Sequence, residues 1–127
     1  MEENHFIKRY IDYHNQYIKK YGDNTVVLIQ TGSHFNLFAV INDEINEGPD
    51  IYHICQNILN ITVSKQNKNK PGISYGNCLL AGFPIYSIQK YENILLDHNY
   101  TIVIIEQTTA PPNPERDVTR IVSPGTS

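Results

Sequence analysis

The chain has 127 residues, of which 40% are hydrophobic, and its formal net charge is −3. This length suits one domain with a hydrophobic core of ordinary size, and the composition excludes a disordered or fibrous protein. Free-standing nucleic-acid binders are usually clearly basic. Because this chain has a net negative charge, any contact with nucleic acid would have to be local or shared with other domains.

The first third of the chain predicts a helix and then a β-hairpin. Apolar side chains recur at helical spacing over residues 6–21, with charged residues between them, and Gly22 ends the pattern. Residues 25–30 form a continuous, β-branched run that is typical of a strand buried on both faces. Residues 34–40 predict a second strand, joined to the first by a tight turn near residues 31–33.

The rest of the chain alternates between helical and strand patterns. In order, we expect a polar loop over 42–50, a helix over 51–59 capped by Asp50, a strand over 61–64, a lysine-containing loop over 65–72, a strand over about 75–81, a helix over 88–98, a strand over 101–105, a proline-rich loop over 108–117 and a strand over 118–122. The strand over 101–105 is the most apolar, which favours the central position. This order excludes a purely parallel arrangement and predicts a mixed α/β fold, with a mixed β-sheet of about six strands and about three helices packed around it.

The motifs that carry catalysis are missing from this sequence. Neither the phosphate-binding G-x-x-x-x-G-K-[ST] pattern nor the G-x-S-x-G pattern occurs, which predicts that the chain is not an enzyme by itself. The histidines have no metal-ligand spacing, so no metal site is expected. Glu106 follows the predicted central strand, where restriction-type nucleases carry E-x-K, but the lysine of that pattern is absent. Glu106 is therefore expected to be a strand-end residue hydrogen-bonded to a neighbouring loop.

The two cysteines, Cys55 and Cys78, lie in apolar stretches. We expect both to be buried thiols of a reducing compartment, because a secreted disulfide framework would need more cysteines. The acidic and polar start of the sequence does not predict a signal peptide, and no apolar run approaches the about 20 residues of a membrane span. The sequence therefore predicts an intracellular protein with no membrane partner.

Several short stretches resemble, in order and spacing, the N-terminal domain of MutS DNA mismatch-repair proteins. They are a leading helix and residues 26–33, 37–38, 59–65, 80–84, 105–107 and 120–126. Each piece alone is weak, but their shared order covers nearly the whole chain. The Gly-Phe-Pro sequence at 82–84 and the Pro-Pro-Asn-Pro sequence at 111–114 are most similar to the branch found in giant viruses and coral mitochondria.

This resemblance implies a mismatch-recognition domain at residues 1–122, followed by the start of an interdomain linker at 123–127. In the family, the hairpin tip of this domain enters the minor groove of mispaired double-stranded DNA. No cofactor is implied in this chain, since ATP and Mg belong to later domains of the parent protein, as do the clamp and dimerisation. The chain is then an excised part of a longer, dimeric protein, whose other domains are further partners. The branch implies a viral factory or a mitochondrion as the compartment.

The sequence departs from the family at the recognition motif. In the family, a Phe-x-Glu motif follows the glycine turn; its Phe stacks on the mispaired base, and its Glu hydrogen-bonds that base. Counting from Gly32, the Phe position is His34 and the Glu position is Asn36. This implies weakened or altered mismatch discrimination, because the imidazole is smaller and more polar than a phenyl ring, and because Asn36 both donates and accepts.

Two alternatives to this motif assignment stay open. In the first, the register shifts so that Phe35 is the wedge, although a one-residue shift turns a strand side chain to the opposite face and favours Phe35 in the core. In the second, His34 and Asn36 are ordinary solvated turn residues whose function is lost. The domain would then be a protein-interaction or structural module that kept the fold and lost DNA recognition.

The residues expected to bind DNA belong to the hairpin tip and to one basic loop. They are Thr31, Ser33, His34 and Asn36 at the tip, and Lys65, Lys68 and Lys70 in the loop. The lysines would contact phosphates and position the duplex without reading its sequence. The alternative for the lysines is a solvated, mobile loop. Tyr75, Tyr86 and Tyr91 are expected to be core or half-buried residues.

Overall fold

The computed structural model of the chain describes residues 2–125. Its elements are α1 (Glu2–Tyr21), β1 (Thr25–Thr31), β2 (His34–Ile41), β3 (Asn46–Glu47), a π-helix (Tyr52–Ile58), β4 (Ser64–Lys65), β5 (Leu79–Pro84), a 3₁₀ helix (Ile85–Ser87), α2 (Ile88–Asp97), β6 (Thr101–Gln107) and β7 (Arg116–Val122). The mixed α/β fold is therefore confirmed, with seven strands in the sheet rather than six. Within residues 2–125, no helix is both long and apolar enough to cross a membrane.

The hairpin of β1 and β2 lies in the middle of the sheet. The strand order is β4-β5-β2-β1-β6-β7, with β3 paired to β2 outside this path. β6 runs parallel to β1, and the other pairs are antiparallel. The strand expected at the centre, β6, is instead second from one edge. A strongly apolar strand is expected to be buried on both faces of the sheet. Because every interior strand can be buried in this way, apolarity alone does not identify the central strand.

Helices cover both faces of this sheet. Tyr10 of α1 is fully buried, and its ring centroid lies 5.5 Å from that of Phe38 on β2. Phe35 packs against Phe83 at 6.1 Å, and Phe83 stacks on Tyr91 of α2 at 4.2 Å. Because side chains alternate along a strand, Phe35 and Phe38 lie on opposite faces, and so do α1 and α2. Burial on both faces explains why β1 and β6 are continuous apolar runs.

The helix expected over 51–59 is present, but it is a π-helix over Tyr52–Ile58. The N-cap is Ile51 rather than the predicted Asp50, although Asp50 Oδ1 accepts a hydrogen bond from the His53 N–H at 3.4 Å. Asn60 follows the helix with a φ of +56°, a left-handed conformation that asparagine tolerates and that ends a helix. Apolar spacing predicts that a helix forms, but the wider hydrogen bonding of a π-helix depends on packing around it.

Two strands in the middle of the chain have other bounds than expected. Of the strand predicted over 61–64, only Ser64 is in a strand; together with Lys65 it forms β4, which makes two pairs with β5. The strand predicted over 75–81 begins only at Leu79, because Ser74 and Asn77 pair with each other and close a turn. β5 then runs on through Gly82 and Pro84, two residue types that normally interrupt strands. Its pairing with β2 outweighs this local preference.

Two predicted loops also contain strand. β3 lies within the loop expected over 42–50, where Glu47 pairs with Val40. β7 begins at Arg116, two residues earlier than the strand predicted over 118–122, and thereby shortens the proline-rich loop. In both cases the residues added to the predicted strands are polar. The hydrophobic pattern by which strands are predicted is therefore absent there.

The two cysteines are buried, as expected, and neither forms a disulfide. Cys55 is fully buried and belongs to the hydrophobic core. Burial raises the pKa of the Cys55 thiol to about 12. Its reactive thiolate form is therefore scarce at neutral pH, which is typical of a structural cysteine.

His14 of α1 predicts a pH-dependent stability. Its side chain is 5% exposed, its Nδ1 has no hydrogen-bond partner among the described residues, and burial lowers its pKa. The unfolded chain binds this proton near the ordinary pKa of about 6.5, so stability is fully present above that pH and is lost as the pH falls below it. We expect this loss to reach at most about 1.4 kcal/mol per pH unit. Urea unfolding of the wild type and of His14→Leu, at about pH 7.5 and about pH 5.5, measures this loss of unfolding free energy.

An equal loss of unfolding free energy in both proteins between the two pH values would contradict the assignment to His14.

Candidate nucleic-acid interface

The hairpin of β1 and β2 ends in a two-residue turn. Thr31 and His34 form its last residue pair, and Gly32 and Ser33 connect them. Gly32 has a φ of +62°, in the left-handed region that glycine adopts without strain. One of the two common types of two-residue hairpin turn has glycine with a positive φ at the first position, as Gly32 has here. The turn predicted near residues 31–33 is therefore confirmed.

Neighbouring strand ends hold this turn in place. Gln30 Nε2 donates to the Gly32 carbonyl oxygen at 2.9 Å, and the Ile85 N–H after β5 donates to the Ser33 carbonyl oxygen at 2.9 Å. The amide oxygen of Gln107, in the orientation that satisfies its neighbours, accepts from the Gly32 N–H at 3.0 Å. The ends of β1, β5 and β6 therefore meet at the turn. We call this region, residues 31–34, 84–86, 106–107 and 116, the hairpin edge.

His34 and Asn36 lie on one face of β2, and Phe35 lies on the other. His34 is exposed at the hairpin edge, with its Nδ1 at 3.2 Å from Ser33 Oγ. Asn36 is only 8% exposed, and its Nδ2 donates to Thr31 Oγ1. Phe35 is 3% exposed, which confirms its expected place in the core and leaves it unable to act as the wedge in this conformation. The alternative in which Asn36 is a solvated turn residue is wrong, because its side chain is buried.

Gly82 on β5 makes room for the Asn36 side chain. The two residues are directly opposite each other in the β2–β5 pairing. A Cβ at position 82 would overlap Asn36 Oδ1 and would lie 2.5 Å from the Phe35 carbonyl oxygen. Glycine is therefore required for Asn36 to lie across β5. This glycine belongs to one of the stretches that carry the family resemblance.

A groove of about 430 Å³ opens beside Asn36 on the face covered by α1. Phe6 and Phe38 contribute aromatic surface to it, and Thr31, Asn36 and Gln66 contribute the polar groups. An apolar wall with a few polar groups is typical of a ligand pocket. The Asn36 amide thus lines an open space, although most of its surface is covered.

The lysine loop lies away from the hairpin turn. Lys65 pairs with Leu79 of β5, which is opposite Ala39 of β2. Ala39 is five residues further along β2 than His34, a separation of about 17 Å at strand spacing. The structure therefore does not bring Lys65, Lys68 and Lys70 together with the residues of the turn.

Buried Asn77 organises the lysine loop. Its Nδ2 donates to the carbonyl oxygens of Asn67, Lys70 and Gly72 at 3.2, 3.1 and 3.0 Å. Lys65 Nζ also donates to the Lys70 carbonyl oxygen, at 2.8 Å. These hydrogen bonds give the loop a defined backbone, while the Lys68 side chain stays exposed. Phosphate contact by the three lysines stays a prediction.

Two arginines bring positive charge close to the hairpin edge, and sequence reasoning missed both. Arg116 Nε donates to the Gln30 carbonyl oxygen at 2.7 Å, and its guanidinium carbon lies 4.8 Å from the Phe6 ring centroid. Burial, and then the charge of Arg9, lowers the pKa of Arg116. Both arginines line a recess of about 290 Å³, together with Glu115 and Asp117. Their proximity depends on the contact between Arg116 and Phe6 of α1, which no sequence pattern displays.

The tyrosines are placed differently from one another. Tyr75 and Tyr91 are half-buried, as expected. The same prediction for Tyr86 is wrong, because its side chain is 85% exposed. Tyr86 lies in the 3₁₀ helix that follows Pro84, at a corner of the fold between β5 and α2. Apolar residues lie close to Tyr86 in the sequence, which is why burial was expected.

Glu106 is a strand-end residue, as predicted, but its partner lies on a neighbouring strand rather than in a loop. Its Oε1 accepts a hydrogen bond from Thr119 Oγ1 of β7. Among residues 2–125, no group of three or more histidine, cysteine, aspartate or glutamate side chains is placed to hold a metal ion.

Comparison with known proteins identifies the family. The model of the family described as MutS domain I matches residues 10–127. The chain is also similar to the DNA mismatch repair protein MutS of Streptococcus pneumoniae strain Hungary19A-6, with 27% identity over 124 residues. The DNA mismatch repair protein HexA of the same species, strain TIGR4, is 27% identical over 124 residues. Each match covers 94% of this chain but only 12% of the relative, so the chain spans about an eighth of these proteins.

Proposed function

Because this chain belongs to the MutS domain I family, we propose that it is a non-catalytic module of a MutS-like mismatch-repair protein that contacts mispaired double-stranded DNA through the hairpin edge. The observation that carries this proposal is the turn itself. Strand ends on both sides hold Gly32 and Ser33 through hydrogen bonds of 2.9 and 3.0 Å. The turn presents the exposed ring of His34, with the Asn36 amide behind it.

The chemistry of these two side chains supports contact in the minor groove. Bases present acceptor atoms there in every A·T and T·A pair. Asn36 has two N–H groups, of which one is engaged by Thr31 Oγ1, and the other can donate to such an acceptor only where the buried amide lines the groove. His34 offers a smaller stacking surface than phenylalanine, and a carboxylate is missing at position 36. We therefore propose that discrimination between mispaired and paired DNA is weaker than with Phe-x-Glu.

Lys65, Lys68 and Lys70 remain the proposed phosphate contacts, and Thr31 and Ser33 remain proposed DNA-binding residues at the tip. The lysine loop begins about 17 Å along the sheet from His34 at strand spacing. A duplex rises about 3.4 Å per base pair, so phosphates about five base pairs from the tip lie at this distance. Phosphate contacts of this kind fix the position of the duplex but do not recognise its base sequence.

The rest of the proposal concerns the longer protein. Since the chain spans 12% of the mismatch-repair proteins that it matches, ATP and Mg binding and dimerisation are proposed for other domains. Residues 1–122 are proposed as the domain and 123–127 as the start of a linker. Its last two residues, 126 and 127, lie outside the described residues. An intracellular location remains a proposal. The giant-virus and coral-mitochondrial branch also remains a proposal, which the Gly-Phe-Pro sequence at 82–84 and the Pro-Pro-Asn-Pro sequence at 111–114 support.

Amide NMR shifts of the labelled domain test the proposed function, because they detect weak binding. We would titrate a duplex with one mispair, and then the matched duplex of the same length, at low and high salt. We expect shifts centred on residues 31–36 that are larger with the mispair, and shifts at residues 65–70 that fade with salt, since phosphate contacts release counterions.

The outcomes separate this proposal from its rival. Equal shifts with both duplexes, confined to residues 65–70, would mean backbone contact without mispair recognition. The absence of shifts with either duplex would contradict the proposal. That result would favour a protein-interaction or structural module, which the net charge of −3 also supports.

A further inference from the structure

Tyr86 has the most exposed side chain among the large hydrophobic residues that the structure describes. It is 85% exposed, whereas the exposed tyrosines Tyr21 and Tyr52 reach 40% and 41%. Single apolar side chains on a protein surface need no explanation by themselves. The position of Tyr86 in the fold is what distinguishes it.

Tyr86 is attached to the hairpin turn through the backbone. Pro84 is paired with His34, and the next residue, Ile85, donates its N–H to the Ser33 carbonyl oxygen at 2.9 Å. The 3₁₀ helix Ile85–Ser87 then connects β5 to α2 and fixes the backbone of Tyr86. The ring therefore stands on a defined corner of the hairpin edge rather than on a loose loop.

The turn itself carries no exposed six-membered aromatic ring. Its residues are Thr31, Gly32, Ser33 and His34, and the following residue, Phe35, is buried. Next to Tyr86, Ile85 is 37% exposed, and both residues line a recess of about 370 Å³ on the face of the sheet that Phe35 occupies. Apolar surface at this edge is thus concentrated in Ile85 and Tyr86.

We propose that Tyr86 is a further DNA-contacting residue, whose ring packs against a base or sugar of the duplex beside the hairpin tip. This inference rests on the proposed function. Proteins that bind the minor groove use apolar side chains against opened base steps, and aromatic rings stack on bases of any sequence. The phenol hydroxyl can also donate to a phosphate oxygen.

The size of the patch favours DNA over a protein partner at this corner. A stable protein interface uses about 20 residues on each side around a buried apolar centre. Here the exposed apolar surface consists of Ile85 and Tyr86, beside polar Gln30, Glu106 and Arg120. One ring on a fixed corner is sufficient for a stacking contact with a base.

A tryptophan reporter tests this contact directly. The chain has no tryptophan, so Tyr86→Trp gives emission from one defined site. We expect a duplex with one mispair to quench this emission, and to leave that of the matched control Tyr52→Trp unchanged. Tyr86→Ala should weaken duplex affinity at least about fivefold, the lower end for loss of a stacked ring. Tyr86→Phe should lose less affinity than Tyr86→Ala, because it keeps the ring and loses only the hydroxyl donor. Tyr52→Ala should match the wild type.

Each outcome decides between the two proposals. If wild-type binding is salt-dependent but Tyr86→Ala binds equally well and the emission of Tyr86→Trp does not respond, the role of Tyr86 is overturned and the proposed function stands. If the wild type binds neither duplex, both are overturned. A change in the emission of Tyr86→Trp that follows protein concentration without DNA would assign the corner to contact between protein copies, and would also overturn the inference. Circular dichroism verifies that every variant is folded.

Discussion

Replacing Gly82 with alanine is expected to destabilise the folded domain by about 3 kcal/mol, the upper range for overpacking. The new Cβ would overlap Asn36 Oδ1 and would lie 2.5 Å from the carbonyl oxygen of Phe35. Asn36 can move aside only by giving up its hydrogen bond to Thr31, and the Phe35 oxygen can move only with β2, the strand between β1 and β5. Urea unfolding of the wild type and the variant measures the difference in free energy.

Removing Asn36 separates the two sources of this clash. In the background of Asn36→Ala, the cost of Gly82→Ala should fall, because the side chain in its path is shorter. It should not vanish, because the backbone oxygen of Phe35 remains. A Gly82→Ala variant that unfolds within about 0.5 kcal/mol of the wild type, as an ordinary surface substitution does, would show that β2 and β5 are not held together this closely.

The double substitution His34→Phe and Asn36→Glu is expected to raise the preference for mispaired over matched duplex about tenfold. Stacking an aromatic ring on a base contributes about 1–3 kcal/mol, and about 1.4 kcal/mol corresponds to a factor of ten. His34 is exposed, so the larger ring is tolerated. Asn36 is 8% exposed, but the neighbouring Thr31 hydroxyl can donate to a carboxylate at position 36. Fluorescence anisotropy with the two duplexes measures the ratio of affinities.

His53→Phe is the matched control for the new ring. His53 is an exposed histidine on the π-helix. His53→Phe therefore replaces a histidine with a phenylalanine, as His34→Phe does, but at a position away from the hairpin edge. It should bind as the wild type does. If the double variant gains no mispair preference although the wild type binds DNA, the residues at positions 34 and 36 do not limit recognition in this protein.

The parts of the fold that follow from local patterns were predictable. α1 shows the helical period over its buried face, and Gly22 stops it. The glycine turn and the two apolar runs beside it predicted the hairpin, although not its central position, and alternation along β2 placed Phe35 in the core. These features depend on neighbours in the chain, which is why periodicity detects them.

The parts that depend on distant partners were not predictable. Gly82 is a residue type that interrupts strands, and only its pairing with Asn36 explains its place within β5. Glu92 is buried on α2 because Arg120 of β7 pairs with it, and a charged residue in a helix gives no sign of this. Arg116 reaches the hairpin edge through the Gln30 backbone, across the sheet. The exposure of Tyr86 is likewise a property of the corner at which β5 ends.

The fixed turn has a consequence for the thermodynamics of any association at this edge. Its two residues are already held by β1, β5 and β6, through Gln30, Ile85 and Gln107. Most flexible loops lose backbone freedom when they are captured, and this loss opposes binding by about 1–2 kcal/mol for each ordered residue. The two residues of this turn are already ordered in the folded protein, so binding does not have to order them. A ligand therefore meets a preorganised surface, and the affinity it reaches is set by the contacts themselves rather than by the ordering of the turn.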